Sequence, residues 1–365
     1  MEYLDTREWL LTNGLGSFAS GTVSDAHTRT YHGWLFAALE PPSRRHLLLA
    51  HIDATLEIGG TPARQSMELS TNFWGSRAIA PQGYRLLRSF QTEPVPTWVW
   101  GESEWRITRQ IVMPYGLIAP DLEHTTQRLC NRVLVRYRYE GHEPVILKLR
   151  PLVCDRDFHH QQQASADLRF SQIVESKRLL IQARRPNGLG TSWQLEWSHG
   201  NYYPDGIWYW DYRYPEETKR GLGDREDLFN PGCLVVSLQP GDSVILEARV
   251  RTPDSIGPSP QPLDSHTFDQ TILTTQHRLE NQFADLISSP QDPLANLKKC
   301  LLHASDQFVV YRSSIQGPTF IAGYPWFNDW GRDTLIALPG LALATRRYTL
   351  ARGLLQTFGQ FCQNG

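Results

Sequence analysis

The chain has 365 residues, with 36 Lys and Arg against 38 Asp and Glu and a formal net charge of −2 at pH 7, a balance that favours neither nucleic acid nor an anionic membrane as partner. Its five cysteines, Cys130, Cys154, Cys233, Cys300 and Cys362, are widely spaced and never form a C-x-x-C pair, which argues against a disulfide framework or a zinc site; a reducing cytoplasm is expected, with no metal and no cofactor. Met1 to Arg7 carries acids and no apolar run, and no window is long enough to span a bilayer, so neither secretion nor membrane insertion has support.

From Trp9 to about Val250, short apolar or alternating runs are separated by Gly, Pro, Asn and Asp, the pattern of an all-β domain. Residues 46–52, 55–58, 97–100, 105–112, 132–139, 145–149, 179–183, 193–197, 234–238 and 243–248 read as strands, enough for two large packed sheets. Arginines and other polar residues interleave with apolar ones in 105–112 and 133–139, which predicts sheets with one wet face. Residues 252–265 are rich in Pro and Ser and mark a linker. Beyond them the period becomes helical: loosely over 268–287, then over 292–310 with Asp292 as N-cap and Pro293 at the first helical position. Residues 335–343 and 350–361 continue the helical reading, with Pro339-Gly340 as a break between them. The terminal Gln363-Asn364-Gly365 reads as a cut through a helical domain.

Several stretches carry chemistry. Asn13-Gly-Leu-Gly-Ser-Phe-Ala19 matches a dinucleotide fingerprint on paper, but it lacks the strand-turn-helix context, so its glycines are better read as hairpin formers. Arg29, Tyr31 and His32 lie together before an apolar strand, as an interface cluster or simply a strand edge. Cys154-Asp-Arg-Asp-Phe-His-His160 gathers Arg156, Asp157 and His159 without the spacing of a zinc site, and reads as a hydrogen-bonded turn against the second domain. Tyr202 to Leu228 is dense in aromatic rings, Trp208 and Tyr212 among them, with Arg220, Glu226 and Asp227 close behind. It reads as a loop over a cleft or as a packed hairpin lid.

The densest cluster is Tyr324-Pro-Trp-Phe-Asn-Asp-Trp-Gly-Arg-Asp-Thr334, just before a helical run. A pyranose has apolar faces and a polar rim, so binding one takes flat rings together with charged hydrogen-bonding groups. Tyr324, Trp326, Trp330, Arg332 and Asp333 supply both. The competing reading makes Asn328 or Asp329 an N-cap, Asp333 part of the first turn and the tryptophans core.

Taken together, Glu8 to Thr22 with Arg29-Thr-Tyr-His-Gly33, Arg156-Asp-Phe-His159, Arg220-Gly-Leu222, Glu226 to Gly232 and Ile321 to Thr334 resemble the bacterial and archaeal type of glycogen debranching enzyme, the amylo-α-1,6-glucosidase group. The resemblance implies a multidomain β-then-α fold: a large β super-sandwich over 1–265, a linker and linker helix over 266–290, and the first helices of a truncated (α/α)6 barrel over 291–365. It implies hydrolysis of α-1,6 branch points in glycogen or a branched maltooligosaccharide by an inverting pair of carboxylic acids. In such barrels the Trp-x-Arg-Asp element, here Trp330, Arg332 and Asp333, holds the non-reducing-end glucose. The general acid and base are expected beyond Gly365, so the chain alone is expected to be inactive. The alternatives are a glycan-binding sandwich without chemistry, and a related phosphorylase or trehalase; a phosphorylase would need a phosphate pocket that the sequence does not display.

Overall fold

The structure is a computed structural model that describes residues 4–59, 65–118, 128–252, 261–286 and 293–362. Two antiparallel sheets dominate it. The first runs in the order Glu8–Thr12, Phe18–Thr22, Gly33–Glu40, Ser43–Ile58, Val145–Asp157, Arg225–Leu238, Asn201–Arg213. The second runs Arg169–Glu175, Arg178–Arg185, Trp193–Trp197, Ser243–Val250, Arg132–Gly141, Trp105–Val112, Thr97–Gly101, Leu87–Gln91. Side chains alternate across each strand, so one face of each sheet supplies a shared core that includes Trp34, Trp98, Leu147, Trp193, Val236 and Leu246. The architecture is that of a large β-sandwich.

Three readings of the strands are corrected. Residues 46–52 and 55–58 form one strand, Ser43–Ile58, whose bulged register against Val145–Asp157 absorbs the irregular spacing. Arg109 is not on a wet face: it shares parity with Trp105 and Ile107, points inward, and lies with its guanidinium 4.2 Å from the centre of the Trp98 ring. Its charge is met by a bidentate pair to Asp25 at 2.8 and 2.5 Å, which a buried cation requires. The outer face of the second sheet is open only in part, with Arg106 and Arg138 exposed on it. Val112, Leu134 and Ile245 on that face are covered by Phe268 and Ile272 of a helix.

Of the helices, α1 (Pro215–Lys219) is a single short turn, and α2 (Ser265–Gln282) is the one laid on the second sheet, N-capped by Asp264, which accepts from the Thr267 N–H at 2.8 Å. Helix α3 (Ala295–Gln307) starts with Leu294 in the capping position, two residues later than Pro293 predicts; Asp292 lies outside the described residues. The helical spacing through Val310 does not persist either, because Val309–Arg312 pairs with Gly317–Phe320 as a hairpin. After it come α4 (Gly331–Leu338), a π-turn over Pro339–Leu343 where a break is expected, and α5 (Tyr348–Gly359). Phe320, Leu338, Ala342, Ala351 and Leu354 give this segment a small core of its own.

Candidate functional site

The loop after the hairpin is organised by Asp329. Its carboxylate accepts from Arg312 and from the Thr319 hydroxyl at 3.0 Å, and Ile321 and Asp329 form a bridge that closes the loop. Neither Asn328 nor Asp329 caps α4, because both are spent on holding the loop. The capping residue is Trp330, with extended backbone angles, and its carbonyl accepts from the Thr334 N–H at 2.9 Å. That geometry turns Trp330 outward at 59% exposure, beside an exposed Arg332 whose Nε lies 3.8 Å from Asp333 Oδ2. A flat ring, a cation and a half-exposed carboxylate thus follow one another over the first turn of a helix, Asp333 also lining a hollow with Phe308, Phe320, Ile321 and Ile336.

Tyr324 and Trp326 point the other way. They pack on the outer face of the first sheet, against a cluster that contains Phe18, Tyr31, Phe36, Leu47 and Phe158. The residue that holds them there is Arg45, fully buried, which donates to the Phe327 carbonyl at 2.6 Å, to Asn328 Oδ1 at 2.9 Å and to the Pro325 carbonyl at 3.4 Å. Its guanidinium lies over the Phe158 ring at 4.1 Å, and burial lowers its pKa to about 10, so it remains a cation at neutral pH. The sandwich grips this loop through one charged fork. Further contacts flank it: the Tyr311 N–H donates to the Gly14 carbonyl at 2.8 Å, and the Ser313 N–H to the Pro41 carbonyl at 2.9 Å. Gly14 and Gly16 adopt positive φ in the turn between the first two strands; the strand Glu8–Thr12 does precede this turn, contrary to expectation, but another strand, Phe18–Thr22, and not a helix follows it, so the glycines form a hairpin.

The structure separates the other candidate residues. Arg29 stands 5.7 Å from the centre of the Trp326 ring, Tyr31 and Trp326 lie edge to face at 6.3 Å, and the Tyr31 hydroxyl is 3.1 Å from His159 Nδ1. These four meet at the interface. His32 lies behind them: the Thr28 N–H donates to its Nδ1 at 3.0 Å, leaving the proton on Nε2, 3.4 Å from Glu8. With hydrogen bonds from His32 and from Arg29 at 2.6 Å, the Glu8 carboxyl is held down at about 2. Asp157 accepts from the His159 N–H at 2.9 Å and so shapes the turn.

Arg156 and Glu226 are a buried pair that also takes in Tyr214, the Gln162 N–H at 2.8 Å and the Thr30 carbonyl at 2.8 Å. Burial alone would lower the Arg156 pKa, but the Glu226 carboxylate raises it above the usual arginine value. Arg220 is tied to Glu217 at 3.2 Å, Asp227 accepts from the N–H groups of Asp211 and Ala164, Trp208 is packed inward on Phe170 and Phe229, and Tyr212 is buried beside Trp74. Of these four, Tyr212 belongs to the outer cluster that receives Tyr324 and Trp326, while the contacts of Arg220, Asp227 and Trp208 lie within the sandwich. The segment Tyr202 to Leu228, read as a loop or a packed hairpin lid, is an antiparallel hairpin: the edge strand Asn201–Arg213 pairs with Arg225–Leu238, with α1 between them, as part of the first sheet. Arg45 is the residue that sequence reasoning missed, since one arginine at the start of an apolar strand is indistinguishable from a surface cation.

Fold and site together describe a large β-sandwich that clamps, on the outside of one sheet, a helical segment presenting an aromatic ring, an arginine and an aspartate to solvent. The chain belongs to the glycogen debranching enzyme family: the family described as glycogen debranching enzyme N terminal matches residues 7–245, and that described as amylo-alpha-1,6-glucosidase matches residues 303–365. No curated protein sequence matches the chain. Among solved structures, a polysaccharide lyase aligns over 68% of this chain and 33% of its own length, at 12% identity and a TM-score of 0.29; the chain spans about a third of the length of that structure.

Proposed function

We propose that the chain serves glycogen debranching, the hydrolysis of α-1,6-glucosidic branch points in glycogen or limit dextrin, in the cytoplasm. The observation that carries this reading is the exposed Trp330 and Arg332 with the half-exposed Asp333 on the first turn of α4, inside the segment that matches the amylo-alpha-1,6-glucosidase family. In this reading the Trp330 ring stacks on the apolar face of the terminal glucose while Asp333 accepts from its hydroxyls and Arg332 donates to them. Residues 1–265 form the sandwich, 266–290 the linker helix, and 291–365 the opening of an (α/α)6 barrel. The bond itself is cleaved with inversion by two carboxylic acids spaced to admit a water. No residue of this chain is assigned to either acid.

The test uses a family enzyme that carries the complete catalytic domain and the same loop, assayed for glucose release from a limit dextrin. Replacing the residue equivalent to Asp333 with Asn lowers kcat/KM by about a hundredfold, the loss of about 2.7 kcal/mol of transition-state stabilisation. Kinetics equal to those of the unsubstituted enzyme would sink the role given to Asp333.

A further inference from the structure

The outer face of the first sheet bears a second group of rings that the loop site does not use. On the edge strand Asn201–Arg213, Tyr209 pairs with Leu228 and Tyr203 with Cys233. Directly paired residues share a sheet face. Leu228 belongs to the outer cluster that also receives Tyr324 and Trp326, whereas the neighbours Phe229 and Leu234 face the inter-sheet core. Tyr209 and Tyr203 therefore stand on the outer face, Tyr203 at 56% exposure. Trp74 lies near-parallel to Tyr209, at 22° with ring centres 6.5 Å apart, and is held by the Trp74 Nε1–H bond to the Ala80 carbonyl. Arg150 follows Leu149, which faces the inter-sheet core and pairs with Leu234, so Arg150 stands on the outer face beside the Cys233 and Tyr203 pair, partly exposed; its side chain has no hydrogen bond or ion pair among the described residues.

We propose that Trp74, Tyr209, Tyr203 and Arg150 form a platform that binds an α-glucan chain on the sandwich itself, along the same sheet face that carries the docked loop. The ligand class rests on the debranching reading; the existence of a platform rests on the geometry. Flat rings on one face beside an unpaired guanidinium suit a sugar chain, with its apolar ring faces and hydroxyl rim. A β-strand of another protein suits it poorly. Pro204 has no N–H to offer, the register of the edge strand shifts at two places, and Asp211 has a positive φ of 64°, so the free edge is blunted against strand addition. A branched polymer gains from such a platform, because a chain held at one point raises the effective concentration of its other ends at a neighbouring site.

The 365-residue chain is tested by electrophoresis through gels containing glycogen and by titration with maltoheptaose. Tyr203→Ala and Arg150→Gln each weaken binding by about threefold to tenfold, the range set by one ring contact or one charged hydrogen bond, and Tyr203→Phe, which keeps the ring face, binds as the parent chain does. Unchanged melting temperatures exclude unfolding as the cause, since both side chains lie at the surface. Migration of Tyr203→Ala and Arg150→Gln indistinguishable from the parent, or no retardation of the parent by glycogen, overturns the platform. Neither result bears on the debranching reading, which stands or falls on glucose release from limit dextrin by the complete enzyme.

Discussion

His27 is buried with both ring nitrogens unpartnered, its ring 4.5 Å from that of His51 and 6.0 Å from that of His32. Burial, then the neighbouring His51, His32, Arg109 and Arg156, push its pKa well below the ordinary 6.5. A histidine depressed in the folded state binds fewer protons there than in the unfolded chain, so its effect is absent above the unfolded pKa and stability is lost as pH falls below about 6.5. The slope is up to about 1.4 kcal/mol per pH unit for one such group. Urea unfolding of His27→Leu between pH 7 and 5 is therefore expected to show a shallower loss of stability than the parent, by about one proton. Parallel curves would mean that His27 is protonated in the fold. The Arg156–Glu226 pair follows the same logic of burial, each charge being tolerable only because the other is bonded to it.

At the scale of elements, the loop over residues 321–330 is held from two sides, by its own Asp329 and by Arg45 from the sandwich. Hydrogen bonds to a buried cation contribute about 1.5–3 kcal/mol each, and Lys cannot reproduce the fork that reaches two carbonyls and an amide oxygen. Both Arg45→Lys and Arg45→Met are expected to loosen the loop while leaving the sheets intact. Hydrogen exchange reads this directly: the Phe327 N–H, bonded to Gly323 at 2.8 Å, and the Ala322 N–H, bonded to Asn328 at 2.9 Å, should exchange faster in both variants, with protection in Ser43–Ile58 and Val145–Asp157 preserved. Retained loop protection in Arg45→Met would transfer the clamp to the Tyr311 and Ser313 contacts. Helices α2 and α3 and the entry to α5 meet in a similar way at Asp306, which accepts from Arg278 at 2.5 Å, Gln282 at 2.9 Å and Arg347 at 3.1 Å.

Across the whole molecule, burial is uneven. The sandwich encloses most of its large side chains, whereas the helical segment leaves Leu297, Leu301, Leu335, Ile336 and Leu355 exposed, Ile336 at 74%. Leu338 and Leu354, which an unclosed helical barrel is expected to leave without partners, are buried against Phe320 and Ala351, because the hairpin supplies a surface in place of neighbouring helices. Each large apolar side chain kept in water forgoes about 1.5–3 kcal/mol, and several together rival the 5–15 kcal/mol typical of a whole domain. The 365-residue chain is expected to self-associate reversibly, with sedimentation velocity showing mass that rises with concentration, and Ile336→Glu with Leu355→Glu should return it towards the monomer. A monodisperse monomer of the parent at high micromolar concentration would show that these side chains are satisfied in another way.

The sequence alone determined the family, a body built mainly of strands and many of its long strands, because alternation and the Trp-Gly-Arg-Asp spacing are local properties written in consecutive residues. It placed an aromatic, an arginine and an aspartate together at the head of α4 for the same reason. What it left open was the direction of each ring in the cluster, the inward turn of Arg109, the helix that covers part of a face read as wet, and the clamp from Arg45. Each of these joins residues distant in the chain: Arg45 and Phe327 are separated by 282 positions, and Asp25 and Arg109 by 84. Only the packed structure decides which buried charge meets which partner, since desolvation and pairing are set by the surroundings and not by the neighbours in sequence.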